Sequence, residues 1–180
     1  GLVFYPPSPR NLKLDIAAQL ARKVPTGVRT VGLFVDPDDK DLATVISAIQ
    51  MDMIQLHGKE GRTRVAEIKN RFGLDVMKAI KLNSKDDLRQ IADFRPVADW
   101  LLFDGGAGDG QTFDWSLLDG YDDPTHRWML AGGLTPENVK EAIARLKPPA
   151  VDVSSGVESI RGKKDTRKIK AFLDAVKCVC

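Results

Sequence analysis

Seven short apolar runs, recurring at intervals of roughly 25 residues, constrain the fold of this chain more than any other feature. They are Leu2–Tyr5, Thr30–Val35, Met53–Leu56, Asp75–Ile80, Trp100–Asp104, Trp128–Ala131 and Ala150–Val153. Helical patterns fill the intervals. Leu42, Val45, Ile46 and Ile49 space as one apolar face, as do Val65, Ile68 and Phe72. A short helix is expected over Asp86–Phe94, with acidic residues in its first turn. Another is expected over Pro136–Leu146, with Thr135 as N-cap and proline at its first position. The last helix, Asp165–Val176, should bury Ile169, Phe172, Leu173 and Val176.

Strands alternating strictly with helices imply an α/β fold with a parallel sheet. An open doubly wound sheet would want a glycine-rich loop after its first strand, whereas Pro6-Pro7-Ser8-Pro9 follows here. The expected architecture is therefore a (β/α)8 barrel, a TIM barrel. A closed barrel of this kind needs eight strands and only seven are found, so the first βα unit is expected to be absent from the chain. Residues 1–180 are expected to form one domain, with no linker or low-complexity segment.

A formal net charge of +2 and the lack of a basic block interleaved with aromatics argue against a nucleic-acid partner, and the run Arg161-Gly162-Lys163-Lys164 reads as a solvated or phosphate-facing turn. No apolar stretch approaches the roughly 20 residues of a membrane span, and no signal peptide is expected. Cys178 and Cys180 are the only cysteines. Two apart, they make a poor disulfide and an incomplete metal site, and a cytoplasmic location fits this usage.

Two neighbouring strand ends are rich in glycine and hydroxyls. One is Leu130-Ala131-Gly132-Gly133-Leu134-Thr135, the other Val151-Asp152-Val153-Ser154-Ser155-Gly156. Backbone N–H groups in such turns form a concave nest that suits a phosphate, with glycine permitting close approach. The loops after the last two strands of a parallel barrel commonly hold one phosphate. Gly132, Gly133, Ser154, Ser155 and Gly156 are the candidate phosphate ligands; taken singly, each end also reads as a tight turn.

Parity along each strand separates barrel interior from helix layer. In Ile54-Gln55-Leu56-His57 the apolar pair suits the helix layer, leaving Gln55 and His57 inward. Asp104 lies at a strand's carboxyl end opposite Phe103, and Asp152 lies inward between two valines. A carboxylate there is a candidate acid or base, although Asp104 also suits a helix cap and Asp152 a structural acceptor. His57 reads equally as a hydrogen-bonded rim histidine. Arg10 follows the rigid proline segment, where a guanidinium can fork onto a carboxylate or simply face solvent. His126, in a loop with Asp122-Asp123-Pro124, reads as solvated. With one inward histidine no two-histidine metal site can be built, and neither metal nor other cofactor is expected.

Together these segments resemble the phosphoribosylanthranilate isomerase family, (β/α)8 enzymes of tryptophan biosynthesis. The matching stretches are Gly1–Arg10, Val31–Val35, Ile54–Gly58, Leu101–Asp104, Thr112-Phe113-Asp114-Trp115, Ala131–Leu134 and Asp152–Glu158, in the family's order over essentially the whole chain. The resemblance implies a cofactor-free Amadori rearrangement of N-(5-phosphoribosyl)anthranilate to 1-(2-carboxyphenylamino)-1-deoxyribulose 5-phosphate. It implies Asp104 as general acid and Arg10 on the anthranilate. His57 and Asp152 resemble substrate-site residues, and Gly132, Gly133, Ser154, Ser155 and Gly156 the phosphate site. The expected partner is the phosphorylated sugar-anthranilate substrate, with a monomer or homodimer and no membrane. Asp104 should carry a raised pKa, through burial or a neighbouring carboxylate.

The sequence departs from the family twice. The family's general base is a cysteine ending the first strand, and no such segment occurs here. Asp104 also runs directly into Gly105-Gly106-Ala107-Gly108-Asp109-Gly110, where the family has a longer loop. As a complete chain it would be expected to show little or no isomerase activity. The alternatives are another ribulose-phosphate barrel enzyme, disfavoured by the histidine count when metal-dependent, or an inactive phosphate-binding fragment.

Overall fold

The structure, a computed structural model, describes residues 1–105, 114–124 and 127–179. Its strands and helices alternate in chain order: β1 (Leu2–Phe4), α1 (Leu14–Ala21), β2 (Val31–Phe34), α2 (Asp39–Ala48), β3 (Met53–Leu56), α3 (Arg62–Phe72) and β4 (Asp75–Lys81). There follow α4 (Gln90–Phe94), β5 (Trp100–Asp104), β6 (Arg127–Leu130), α5 (Val139–Leu146), β7 (Glu158–Ile160), β8 (Lys163–Lys164) and α6 (Thr166–Lys177). Contacts group the chain into two compact units. One is Gly1–Ala79 with Ala92–Trp100; the other is Ile80–Ile91 with Leu101–Cys180.

In the first unit β1 to β4 are hydrogen-bonded neighbours in chain order, and each pair is parallel. Phe34, Leu42, Ile54, Leu56, Val65, Ile68 and Val76 are fully buried or nearly so. The strand β3 is buried along its whole length, as expected of a parallel strand covered on both faces. Asp38 caps α2 by accepting the Asp41 N–H at 2.7 Å, and two acidic residues in the first turn complement the helix dipole. Gly73 ends α3 at φ +65°, a left-handed cap that costs glycine least.

The second unit holds β5 and β6 as neighbours. Phe103 packs against Tyr121 and Trp128 at centroid distances of 5.2 and 5.6 Å. Asp165 caps α6 through the Arg167 N–H at 2.9 Å.

Four expectations are corrected here. The run Ala150–Val153 is not a strand; it contributes one parallel bridge, Leu130 to Val151. Beyond it, β7 and β8 form an antiparallel hairpin where a turn was expected. The helix expected from Pro136 starts at Val139, because Asn138 and Thr135 first close a hydrogen-bonded turn. On α6, Leu173 is exposed and Ala175 takes its place beside Phe172 in the core. In addition α1, which was not anticipated, buries only Ala17 and leaves Ile16 and Leu20 exposed, so its apolar pattern was weak.

Candidate active site

The second unit gathers most of the candidate residues. Asp104 ends β5, and its register follows from three backbone hydrogen bonds. Leu82 donates its N–H to the Asp104 carbonyl at 2.9 Å, Ala131 to the Phe103 carbonyl at 2.8 Å, and Asp152 to the Leu130 carbonyl at 2.8 Å. In a parallel ladder such a bond sets the residue before the donor opposite the acceptor. The bond from His57 to Phe34 illustrates it, since Leu56 pairs with Phe34. Lys81 therefore stands opposite Asp104, Leu130 opposite Phe103, and Val151 opposite Leu130. Phe103, Leu130 and Val151 share one face; Lys81, Asp104 and Asp152 share the other.

Electrostatics agrees with that placement. Burial, aided by the negative charge of Asp152, pushes the Asp104 carboxyl up to about 6, against a smaller downward pull from Lys81 and the Gly105 N–H. Burial also raises the carboxyl of Asp152, with Lys164 acting against it. Two carboxyls on one face thus resist ionising.

The two glycine-rich turns close around this pair. Gly132 lies at φ +80° and Gly133 at φ +65°, conformations that side chains rarely adopt. A Cβ on Gly132 would sit 2.4 Å from the Gly105 nitrogen and 2.9 Å from Asp104 Oδ1. A Cβ on Gly156 would fall 1.9 Å from the Leu134 carbonyl oxygen. Each glycine is required by a close backbone approach, and the loop after β6 lies directly against the segment carrying Ser155. Asn138 donates its side-chain amide to the Gly133 carbonyl at 3.0 Å and accepts the Thr135 N–H at 2.8 Å, bracing the first turn. Among the described residues no backbone carbonyl takes the N–H of Gly132 or Gly133.

The second turn is braced by a lysine that sequence reasoning assigned to a solvated or phosphate-facing turn. Lys164 Nζ donates to the Ser154 carbonyl at 2.8 Å and Oγ at 3.3 Å, and pairs with Glu158 Oε1 at 3.0 Å. Glu158 is buried and also accepts the Gly162 N–H at 3.0 Å. Gly162, at φ +86° in the turn between the two strands, was the available signal for this hairpin. Lys81 was missed because its strand was expected to end at Ile80.

Arg10 and His57 belong to the first unit. Arg10 is half-buried in the loop after β1, its N–H on Ser8 Oγ at 3.1 Å. His57 follows β3, with its Nε2 2.9 Å from Gln55 Nε2, consistent with both side chains lying on one strand face. The structure describes neither His126, Thr112, Phe113, Cys180 nor residues 106–110. Among the described residues no group of three or more His, Cys, Asp or Glu could hold a metal, and no helix is long and apolar enough to cross a membrane.

Comparison with known proteins follows the same lines. The family model for N-(5'-phosphoribosyl)anthranilate isomerase matches residues 1–175. The N-(5'-phosphoribosyl)anthranilate isomerase of Paracoccus denitrificans is 50% identical over 181 residues, covering 96% of this chain and 84% of that protein. That of Paramagnetospirillum magneticum is 49% identical, covering 98% and 86%. A crystal structure of phosphoribosyl anthranilate isomerase from Thermotoga maritima superposes with a TM-score of 0.90 at 37% identity, covering 99% of this chain and 87% of that one. A phosphoribosyl anthranilate isomerase in complex with reduced 1-(o-carboxyphenylamino)-1-deoxyribulose 5-phosphate gives 0.88 at 37% identity, covering 99% and 86%. The likeness carries the (β/α)8-barrel fold class with it, and the chain belongs to the N-(5'-phosphoribosyl)anthranilate isomerase family.

Proposed function

We propose that this chain carries the acid and phosphate-binding parts of an aldose–ketose isomerase that rearranges N-(5'-phosphoribosyl)anthranilate in tryptophan biosynthesis. The observation that carries the reading is a half-buried carboxyl on Asp104, its pKa pushed up to about 6, set against the glycine turn at Gly132. The substrate phosphate is held by Gly132, Gly133, Ser154, Ser155 and Gly156. Asp104 then gives its proton to the furanose ring oxygen. As the C1–O bond breaks, its electron pair stays on that oxygen and the anilino nitrogen lone pair closes a C1=N bond. Loss of the C2 proton to a base gives the enamine, which tautomerises to the ketose.

A group with a pKa near the working pH serves as such an acid, because it is still partly protonated and yet gives the proton up. Asp152 raises the acid, Arg10 binds the anthranilate carboxylate, and His57 contacts the substrate. Cysteine occurs in residues 1–180 only at 178 and 180, so the base is assigned to neither. No cofactor or metal takes part. The reading includes a single domain, a cytoplasmic location and a monomer or homodimer. A solved relative from Thermotoga maritima is described as dimeric, with monomers generated from it.

The test is fluorescence decay of N-(5'-phosphoribosyl)anthranilate, with calorimetric binding of the reduced product analogue measured beside it. Turnover and binding together are expected. Binding without turnover reduces the protein to a phosphate-ligand binder, and loss of both removes the reading.

A further inference from the structure

We propose that Lys81 is a positioning residue for the acid step, its ammonium holding the Asp104 carboxylate that remains after the proton has passed to the substrate. This deepens the isomerase reading and rests on it. The geometry comes from β4 itself. Ile80 and Leu82 are fully buried, so alternation turns the exposed Lys81 between them to the opposite face. The bond from Leu82 N–H to the Asp104 carbonyl sets Lys81 opposite Asp104, and that face is the one Asp152 shares.

Among the described residues the Lys81 ammonium takes part in no ion pair and no side-chain hydrogen bond. Its neighbour in sequence, Lys78, behaves in the opposite way, being buried on the other face and fully paired. Lysine is a compact, strongly hydrated cation on a flexible stem, and it attracts the Asp104 carboxyl only weakly while that group holds its proton. Proton transfer changes this. Asp104 becomes an anion in a partly desolvated place, with Asp152 on the same face and only the Gly105 N–H and Lys81 acting in its favour. The ammonium then gains an attraction it lacked before, so its contribution is larger after transfer than before it. Lys164 faces the same pair through Asp152 but is committed to Ser154 and Glu158.

The test compares Lys81→Met and Lys81→Arg with the parent. One readout is kcat/KM for N-(5'-phosphoribosyl)anthranilate against pH; the other is the carboxyl titration of Asp104 by carbon NMR without ligand. An acid must be protonated to act, so activity falls as pH rises through its pKa. Removing the cation should move that alkaline limb and the Asp104 midpoint upward by roughly half to one pH unit, with Lys81→Arg restoring both. A structural role would lower the rate at every pH and leave the limb in place. An unmoved limb and midpoint in an active Lys81→Met enzyme overturn the proposal. A moved midpoint in a protein without turnover overturns the isomerase reading instead and leaves the Lys81–Asp104 interaction standing.

Discussion

Two groups of ionisable side chains, one in each unit, have opposite designs. In the first unit Lys78 Nζ meets Glu60 Oε2 at 2.8 Å, with 4% and 1% of the two side chains exposed. Every remaining valence is used. Lys78 also donates to the Gly58 carbonyl at 2.8 Å and lies 5.5 Å above the Phe94 ring, while Glu60 Oε1 accepts the N–H groups of Asp36 and Gly58. In the second unit two half-buried acids stand together. Asp104 and Asp152 share a strand face without a full set of partners, and both resist ionising. The satisfied pair holds its loops in place, whereas the unsatisfied pair has the raised proton affinity that the proposed acid step requires. Burial alone does not mark a reactive residue; burial with a missing partner does.

The largest expected effect breaks the second group. Asp104→Asn keeps shape and loses the proton, so kcat should fall on the order of 10²–10⁴ while the reduced product analogue still binds. Equal loss of binding would place Asp104 in ground-state recognition instead. The matching change in the first group is Glu60→Ala, which strands a buried ammonium and should cost about 3–5 kcal/mol in urea denaturation. Adding Lys78→Met should recover much of that. A cost near zero for Glu60→Ala would show that the pair is not a lock.

How much of this contrast was legible beforehand depends on how local the signal is. The strands β3 and β5 matched their expected bounds because a continuous apolar run needs no distant partner to be recognised. The places of Asp104 at a strand end and of Gly132 and Gly156 in tight turns could be read from motif and strand end. Lys81 and Lys164 could not, since their importance lies in what stands opposite them: a carboxyl one strand away, a carbonyl ten residues back. The run Ala150–Val153 failed as a strand for a related reason. Its pattern is apolar enough, but only Val151 finds a ladder partner among the described residues. Leu173 failed because helical periodicity fixes a face only to within a neighbour, and Ala175 fits closer.

A smaller effect sharpens the comparison at the turn proposed to hold the phosphate. Lys164→Met removes two hydrogen bonds to Ser154 and should raise KM by roughly tenfold with kcat little changed. A fall in kcat at constant KM would mean that Lys164 acts on the chemistry.

A last effect is on stability. Folded Asp104 holds its proton more tightly than the unfolded chain does, so its contribution to stability falls as pH rises from about 4 to about 6. Asp104→Asn should therefore be stabilised relative to the parent at pH 7 and not at pH 4, as read by urea midpoints at the two values. Equal differences at both would remove the linkage.

The most direct test of the account is the carbon NMR titration of the Asp104 side chain in the ligand-free protein, assigned by its loss in Asp104→Asn. A midpoint near 6 is predicted from burial beside Asp152. A midpoint in the ordinary aspartate range, about 4, would contradict the idea that this site holds a proton ready for transfer.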